Sequence, residues 1–556
     1  MWHLSIALLA ALAQNPRQPE TLHPGAVAGE IAVSSADEIS AALWVDSATQ
    51  SVQVSYADGR GVQWSGPVTI DGDVSGAAKT VTSRCLAASE DHLYAVWMDD
   101  RNGATDAFWA ASADGGMTWG SALRLDDGYI PGMQAVTDLQ VVADNNYVYI
   151  AMRVQGPTGN EDIMMASSMD YGATWNPTLK ANAANADCDA MAICCEDLNV
   201  FVTWADERNT PGMDDVFLRM SHDGGANWMM SMMDEQIDSS GIGVGNAEGA
   251  RMQISGGMMG LVVAWMENQT ATTGSDCELH VRYSPDGGHM WPIPEATLAS
   301  GAMVSAPSLM VDPATICVAW QDDRSGSDQI YAAVSKDYSF SWTEHTLSSN
   351  GGSQATVVGY ADLWGVSWLD NAAAPRAQMA VSRDGGSNFL TSIALQNNSA
   401  AHPALTYNTR YENFVAAWME QPSAARSVHA GGTRSQTLQA VSPSFAVGDS
   451  IHFEASHFPL ADYATPFAVL LSSGTGHYKL PFGDGRNTGL LNNPYQPGYL
   501  PLLSGVIDFN GSGTTPTLTI PNTPGATWYA AGLAYLTSAH ATYLLRLTDV
   551  IAIEVQ

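Results

Sequence analysis

One composite motif recurs along this chain and restricts its fold more than any other feature. An apolar run ends in an aromatic anchor, a polar turn follows, and a second run ends in a turn of the form Ser-x-Asp-x-Gly-x-Thr-Trp. The clearest copy is LYAVWMDDRNGATDAFWAASADGGMTW, from Leu93 to Trp119. VFVTWADERNT leads in the same way to the turn Ser221–Trp228, LVVAWMENQ to Ser284–Trp291, ICVAWQDDRSG to Ser335–Trp342 and WGVSWLDN to Ser382–Phe389. A weaker copy spans Val148–Trp175. Self-similarity at a fixed period takes precedence over any local reading, because it defines the architecture.

The anchor falls at Trp44, Trp97, Met152 (in place of Trp), Trp204, Trp265, Trp320, Trp368 and Trp418. A spacing of about fifty residues is too short for a domain and holds about four runs of strand length. The runs are apolar on both faces, as expected of sheets covered on both sides by neighbours. No stretch sustains a helical period. Four-stranded units arranged radially make an all-β propeller. Eight units predict eight blades, and the alternative is seven, with the terminal units sharing one.

In the repeated turn, Asp and Ser bond to the turn backbone, Gly supplies a positive φ, and Trp covers the turn from the next strand. The aspartates are Asp114, Asp170, Asp223, Asp286, Asp337 and Asp384. These turns resemble the Asp boxes (BNR repeats) of the sialidase superfamily, over Ser55–Phe389 by motif and Glu30 to about Gln439 by spacing. The segment from Ser55 to Trp64 is a degenerate first copy. In that family the boxes lie away from the ligand, so the resemblance implies scaffold roles for the six aspartates.

The 556 residues leave room for two or three domains. Residues 1–13 (MWHLSIALLAALA) are apolar and end in Ala-Leu-Ala, which reads as a signal peptide lacking its basic start, or else as a buried first strand. An N-terminal arm at 14–29, the propeller at 30–439 and a C-terminal β-sandwich at 440–556 complete the expected order. With 57 acidic residues against 22 basic, the net charge of −35 repels nucleic acid and anionic membrane. No later run reaches transmembrane length. Together these features predict a secreted or cell-surface protein. The six cysteines lack metal-ligand spacing and read mostly as buried thiols, with one or two disulfides as the alternative. Asp71-Gly-Asp73-Val-Ser75 is half of a Ca²⁺ loop, more simply a solvated turn. No other cofactor is expected.

Alignment on the anchors places Glu30, Arg84, Asp138, Asp189, Arg251, Pro307, Gln354 and His402 at the start of the innermost strands. They predict a polar, non-repeating ring at one mouth of the channel, opposite the Asp boxes. The Asp-Asp-Arg turns at Asp99–Arg101, Asp206–Arg208 and Asp322–Arg324 share that face, but a feature repeated in three units reads as a brace. The third unit departs from the pattern with Met152, Arg153 and the run Gln155–Asp162, for which drift is the simpler reading. Sialidase activity implies three arginines on a sugar carboxylate, a Tyr activated by Glu, and an acidic Asp. The family's Arg-Ile-Pro motif is absent, and the ring supplies Arg84 and Arg251, with Arg153 as a candidate third. Glu30, Asp138 and Asp189 are the candidates for a two-carboxylate hydrolysis of neutral sugars. The expected function is recognition of a glycan or other surface ligand at the ring face. A glycoside hydrolase of exo-sialidase type is the alternative.

Overall fold

The computed structural model describes residues 20–554 except 25–26, 60, 62, 73–78, 127–131, 157–158, 183–186, 229–233, 239–245, 269–276, 303–306, 313–314, 396–398, 412, 421–426, 435–436, 442–445, 447–449, 457–465, 473–503, 507–512, 516–517, 520–526, 538–541 and 548–550. The leader-like segment and the end of the half calcium loop lie outside the described residues. The described residues form antiparallel strands and no helix. The chain divides into two compact units: residues 16–408 with 415–432, and residues 433–556 with 1–15 and 409–414.

In the larger unit, seven four-stranded sheets are each built from consecutive strands. Their innermost strands are Val27–Ala36, Val81–Ser89, Val136–Asp144, Cys188–Glu196, Asn246–Gly257, Ser308–Asp312 and Gly352–Tyr360. These define blades one to seven. A further four-stranded sheet is composite: Ala400–Asn408, Asn413–Glu420 and Ser427–Arg434 take their fourth strand, Glu20–His23, from the other end of the chain. The seven-blade alternative therefore holds over the favoured eight: seven blades are each built from consecutive strands, and the two ends of the chain share the further sheet. Its innermost strand contacts those of blades seven and one. Leu22, Val27, Trp44, Ala401, Ala417 and Met419 form one buried cluster across the junction. Residues 20–23 and the strand starting at Val27 therefore belong to sheets, where a polar arm was expected.

The anchors lie on the second strand of each blade. Trp44, Trp97, Trp204, Trp265, Trp320, Trp368 and Trp418 are all essentially fully buried. A Trp hiding ~150–250 Å² gains roughly 4–6 kcal/mol of transfer free energy at about 25 cal/mol per Å². In blades two, four and six the indole N–H donates to the carboxylate two residues on: Asp99 at 3.0 Å, Asp206 at 2.8 Å and Asp322 at 2.9 Å. The arginine of the same turn pairs with that carboxylate and lies over the aromatic opposite the anchor. Its guanidinium is 4.3 Å from Phe108, 3.8 Å from Phe217 and 4.2 Å from Tyr331. The Asp-Asp-Arg turns are braces. Blade five holds His280 opposite Trp265 instead, with Glu295 2.6 Å from its Nδ1 and Glu278 3.3 Å from its Nε2.

Each Asp box closes in one pattern. The Ser112 hydroxyl donates to Asp114 at 2.8 Å and accepts from the Gly116 N–H at 2.8 Å, while Asp114 accepts from the Thr118 N–H at 2.8 Å. The same bonds recur around Asp170, Asp223, Asp286, Asp337 and Asp384. The Thr118 side-chain bond leads the set that holds the Asp114 carboxyl below its usual range. The glycine four residues after the Ser lies against the third strand of the preceding blade. A Cβ on Gly116 would stand 2.9 Å from Tyr56, on Gly288 2.5 Å from Leu218, and on Gly386 2.8 Å from Val334. The box is thus a spacer between blades as well as a turn.

The smaller unit contains two antiparallel sheets. One joins Thr437–Val441, Ser450–Ser456, Gly513–Thr514 and Leu518–Thr519; the other is organised on Thr527–Thr537. The chain ends in two further strands of the second sheet, Thr542–Leu547 and Ile551–Glu554. No disulfide joins any of the six cysteines among the described residues.

Blade six tests the spacer role, because Ser339 occupies the glycine position at φ 73°. Left-handed backbone costs an L-residue roughly 1–2 kcal/mol. Ser339→Gly is expected to raise the melting temperature. Gly386→Ala, at φ 79° against Val334, is expected to lower it by the equivalent of about 2 kcal/mol or more. Thermal melts of the two variants should move in opposite directions.

Candidate functional site

The expected ring residues do not begin their strands. Most sit just inside them, where pairing with the second strand slips by one or more residues. The irregularities fall between Ala28 and Ala32, Val136 and Asp138, Cys188 and Ala190, Ala247 and Met252, and Ser353 and Thr356. A bulge frees a side chain from the pleat and aims it anew. Glu30, Asp189 and Gln354 are exposed there, and Gln354 adopts φ 59°. His402 is half-buried at φ 49°, and Pro307 is buried just before its strand. Arg251 lies within the blade-five bulge, with its side chain outside the described residues.

The two arginines with described side chains are engaged with backbone. Arg84 passes over Gly29 and donates through Nη2 to the Glu30 carbonyl, joining the innermost strands of blades one and two. A Cβ on Gly29 would lie 3.0 Å from that nitrogen, so glycine makes room for the crossing. Burial pulls the Arg84 guanidinium down to about 10, against the opposing charge of Glu30. Burial likewise pushes the neighbouring Cys85 thiol up to about 12. Arg153 pairs with Glu161 at 2.9 Å and donates to the Cys188 carbonyl at 3.0 Å and to the Asp189 carbonyl. The departure of blade three from the repeat, read from sequence as drift, builds an ion pair that reaches into blade four and fixes the Asp189 bulge.

Around this bridge the structure assembles a carboxyl cluster that the ring alignment captured only in part. Asp138 faces Arg153 across the strand pair; its carboxyl accepts from the Leu139 N–H at 2.8 Å and is raised by burial. Glu161 is raised by burial too, opposed by Arg153 and assisted by Asp187 and Asp189. Asp187 accepts from the Glu161 N–H at 2.8 Å. Asp214, at the start of the third strand of blade four, is hydrogen-bonded to Asp189 through their side chains. Burial, then the charge and hydrogen bond of Asp189, then Glu207 and Asp206, push Asp214 up to about 8. Asp214 thus keeps its proton at neutral pH. A subtraction within the repeat could have found Asp214. Its neighbour Asp215 matches Asp106 of blade two in register and bonding, each accepting from an Asn side chain at 2.6 Å, which leaves Asp214 unexplained by the scaffold.

Other acids nearby serve the blades. Asp71 and Asp126, which follow the fourth strand, accept from an N–H near the start of the third strand at 2.9 and 3.3 Å. Asn182, Asp238 and Ser348 do the same in blades three, four and six. Asp71 also takes the Lys79 ammonium at 2.5 Å, a structural pair where a Ca²⁺ ligand was one reading. Among the described residues no group of three His, Cys, Asp or Glu side chains is arranged to hold a metal. At the opposite, Asp-box end of the inner strands lies a cavity of about 580 Å³ whose lining includes Asp144, Glu196 and Tyr338. There Asp144 and Glu196 each accept, at 2.8 Å, from a turn N–H of the next blade. The Tyr–Glu pair in the described part of that face, Tyr171 to Glu90 at 2.9 Å, belongs to an Asp box.

The Asp189–Asp214 pair gives a pH signature. Asp214 keeps its proton in the folded state above the pH where the unfolded chain loses it. Its contribution therefore turns increasingly unfavourable from about pH 4 to about pH 8. Asp214→Asn, which retains a donor toward Asp189, is expected to melt progressively above the wild type as pH rises through that window and to hold a constant margin beyond it. A margin independent of pH would exclude the raised Asp214 proton.

No protein-family model and no curated protein matches the chain. Among solved structures it is similar to a prolyl endopeptidase, at 10% identity and a TM-score of 0.40, over 79% of this chain and 61% of that one. It is also similar to Trypanosoma rangeli sialidase with the inhibitor DANA, at 12% identity and a TM-score of 0.34, over 78% of this chain and 89% of that one. The phage phi92 endosialidase matches at 10% identity and a TM-score of 0.34, over 62% and 66% of the two chains. The chain is an Asp-box β-propeller whose structural neighbours include sialidases.

Proposed function

We propose that this propeller recognises an uncharged glycan at the mouth between blades three and four, in a secreted or cell-surface setting. The hydrogen-bonded Asp189–Asp214 pair carries the reading. A protonated carboxyl beside a second carboxyl group offers donors and acceptors a few ångströms apart, which suits sugar hydroxyls, themselves both donor and acceptor. The setting favours neutral over anionic ligands. Glu161 lies near Asp189, and Glu207 and Asp206 near Asp214, while Arg153 is committed to Glu161 and to two carbonyls. An entering sialic acid carboxylate would meet repulsion, with no arginine fork among the described side chains to reverse it.

Hydrolysis by exo-sialidase-type chemistry is the second reading, favoured by the proton that Asp214 keeps at neutral pH, since a general acid must hold one. Against it, the two carboxyls touch, whereas acid and nucleophile or base in glycosidases stand roughly 5 Å apart or more to admit the sugar. Binding measured on a panel of neutral glycans and sialosides, with hydrolysis followed in parallel, separates the two. Neutral glycan binding is expected, weakened about tenfold or more by Asp189→Asn and by Asp214→Leu, as loss of a charge-assisted hydrogen bond implies. Turnover of sialosides by the wild type, abolished in Asp214→Asn, would replace recognition with catalysis.

A further inference from the structure

On the face opposite this mouth, the Asp boxes of blades four and five bring two imidazoles together. His222 follows the Ser of the blade-four box, and His289 follows the second glycine of the blade-five box. Their Nε2 atoms are 3.2 Å apart, with ring centroids at 5.2 Å and planes inclined by 37°. His222 is half-buried and packs edge-on against Phe201, whereas His289 is exposed.

The tautomer of His222 follows from its partner. Asn199 donates through its amide nitrogen to the Glu196 carbonyl at 3.1 Å, which turns its oxygen toward His222 Nδ1 at 2.9 Å. An amide oxygen only accepts, so Nδ1 carries the hydrogen and the lone pair sits on Nε2. That lone pair points at His289. A backbone- or amide-oriented imidazole with a free nitrogen facing a second imidazole is the arrangement that protein metal sites use to fix ligand tautomers.

We propose that His222 and His289 form a two-histidine site for a late first-row divalent cation, Zn²⁺ or Cu²⁺, that clasps blades four and five. Imidazole suits these metals. Two nitrogens at ~2.0–2.1 Å from a tetrahedral Zn²⁺ stand about 3.3–3.4 Å apart, so the observed 3.2 Å needs almost no rearrangement. In the metal-free protein the His289 Nε2–H donates to His222. On binding, that hydrogen moves to Nδ1 through solvent and both Nε2 lone pairs turn to the metal. Two protein ligands leave the remaining positions to water or to a donor from outside, so the site exchanges its metal readily. Because it joins neighbouring blades, occupancy stabilises the fold by mass action.

Zn²⁺ binding by calorimetry and Cu²⁺ binding by electron paramagnetic resonance test this on the full chain, with Ca²⁺ as a control for carboxylate binding. The wild type should bind one Zn²⁺ and show coupling of Cu²⁺ to two nitrogens. His222→Ala or His289→Ala should weaken Zn²⁺ tenfold or more and reduce the coupling to one nitrogen, with the metal-free melting temperature little changed. Asn199→Ala should weaken Zn²⁺ about tenfold with both nitrogens kept. Zn²⁺ affinity unchanged in the double histidine variant, or Cu²⁺ bound through oxygen alone, would overturn the site. Glycan binding at the opposite mouth is independent of either result.

Discussion

Both faces of every sheet in this ring are apolar, so no blade can satisfy itself. The second strand of blade one is buried along all but its last residue, and that of blade two along all but its first. A sheet of this kind gains its burial only when neighbours cover it on both sides, and the same pair of contacts must be made at each position round the circle. Blade-to-blade spacing is therefore the constraint on which the other features depend. The box glycine lets one blade approach the third strand of the previous blade, and the anchor Trp fills the interior that results. Single substitutions at either position act on an interface, not on a turn.

Apolar packing of this extent leaves polar ends to be settled, and here most are settled by carboxylates. One set receives the indole N–H and holds an arginine over the facing aromatic ring. Another accepts an N–H near the start of the third strand, and a third accepts turn N–H groups from the next blade. The acidity of the chain is in large part this hydrogen-bonding work repeated from blade to blade, with few lysines to balance it. Where a blade departs from the pattern the chemistry changes. Blade three exchanges its brace for an arginine that crosses to blade four. In blade five the brace passes from an arginine to His280, and burial pushes the nearby Glu267 up to about 6 even though His280 opposes the shift.

The repeat was legible because spacing, anchors and boxes are local patterns, and they lead directly to four-stranded radial sheets. The box aspartates could be assigned to turns from sequence for the same reason. What could not be read was everything decided by register between strands. The ring residues were placed at strand starts, whereas pairing continues a few residues further and slips there, so that bulges set their directions. Arg84 and Arg153 looked like free ligand-binding forks and are instead committed to carbonyls of the adjoining blade. Asp214 escaped notice because it stands beside a repeated aspartate and acquires its character from Asp189 across the blade. Glu20–His23 looked like an arm because a four-residue polar strand carries no periodic signal of its own.

That short strand sets the order in which the molecule can be completed. Glu20 pairs with Ala430 and Thr21 with His429. At synthesis rates of ~5–20 residues per second, the first partner waits roughly 20–80 s for the second to leave the ribosome. Blades one to seven can assemble in sequence during that interval, each covering one face of its predecessor. The arc they form keeps an apolar face exposed at each end until the last sheet arrives. Closing it joins residues about four hundred positions apart, a slow step by the entropy of the loop, and one for which a second, equally unfinished chain would compete.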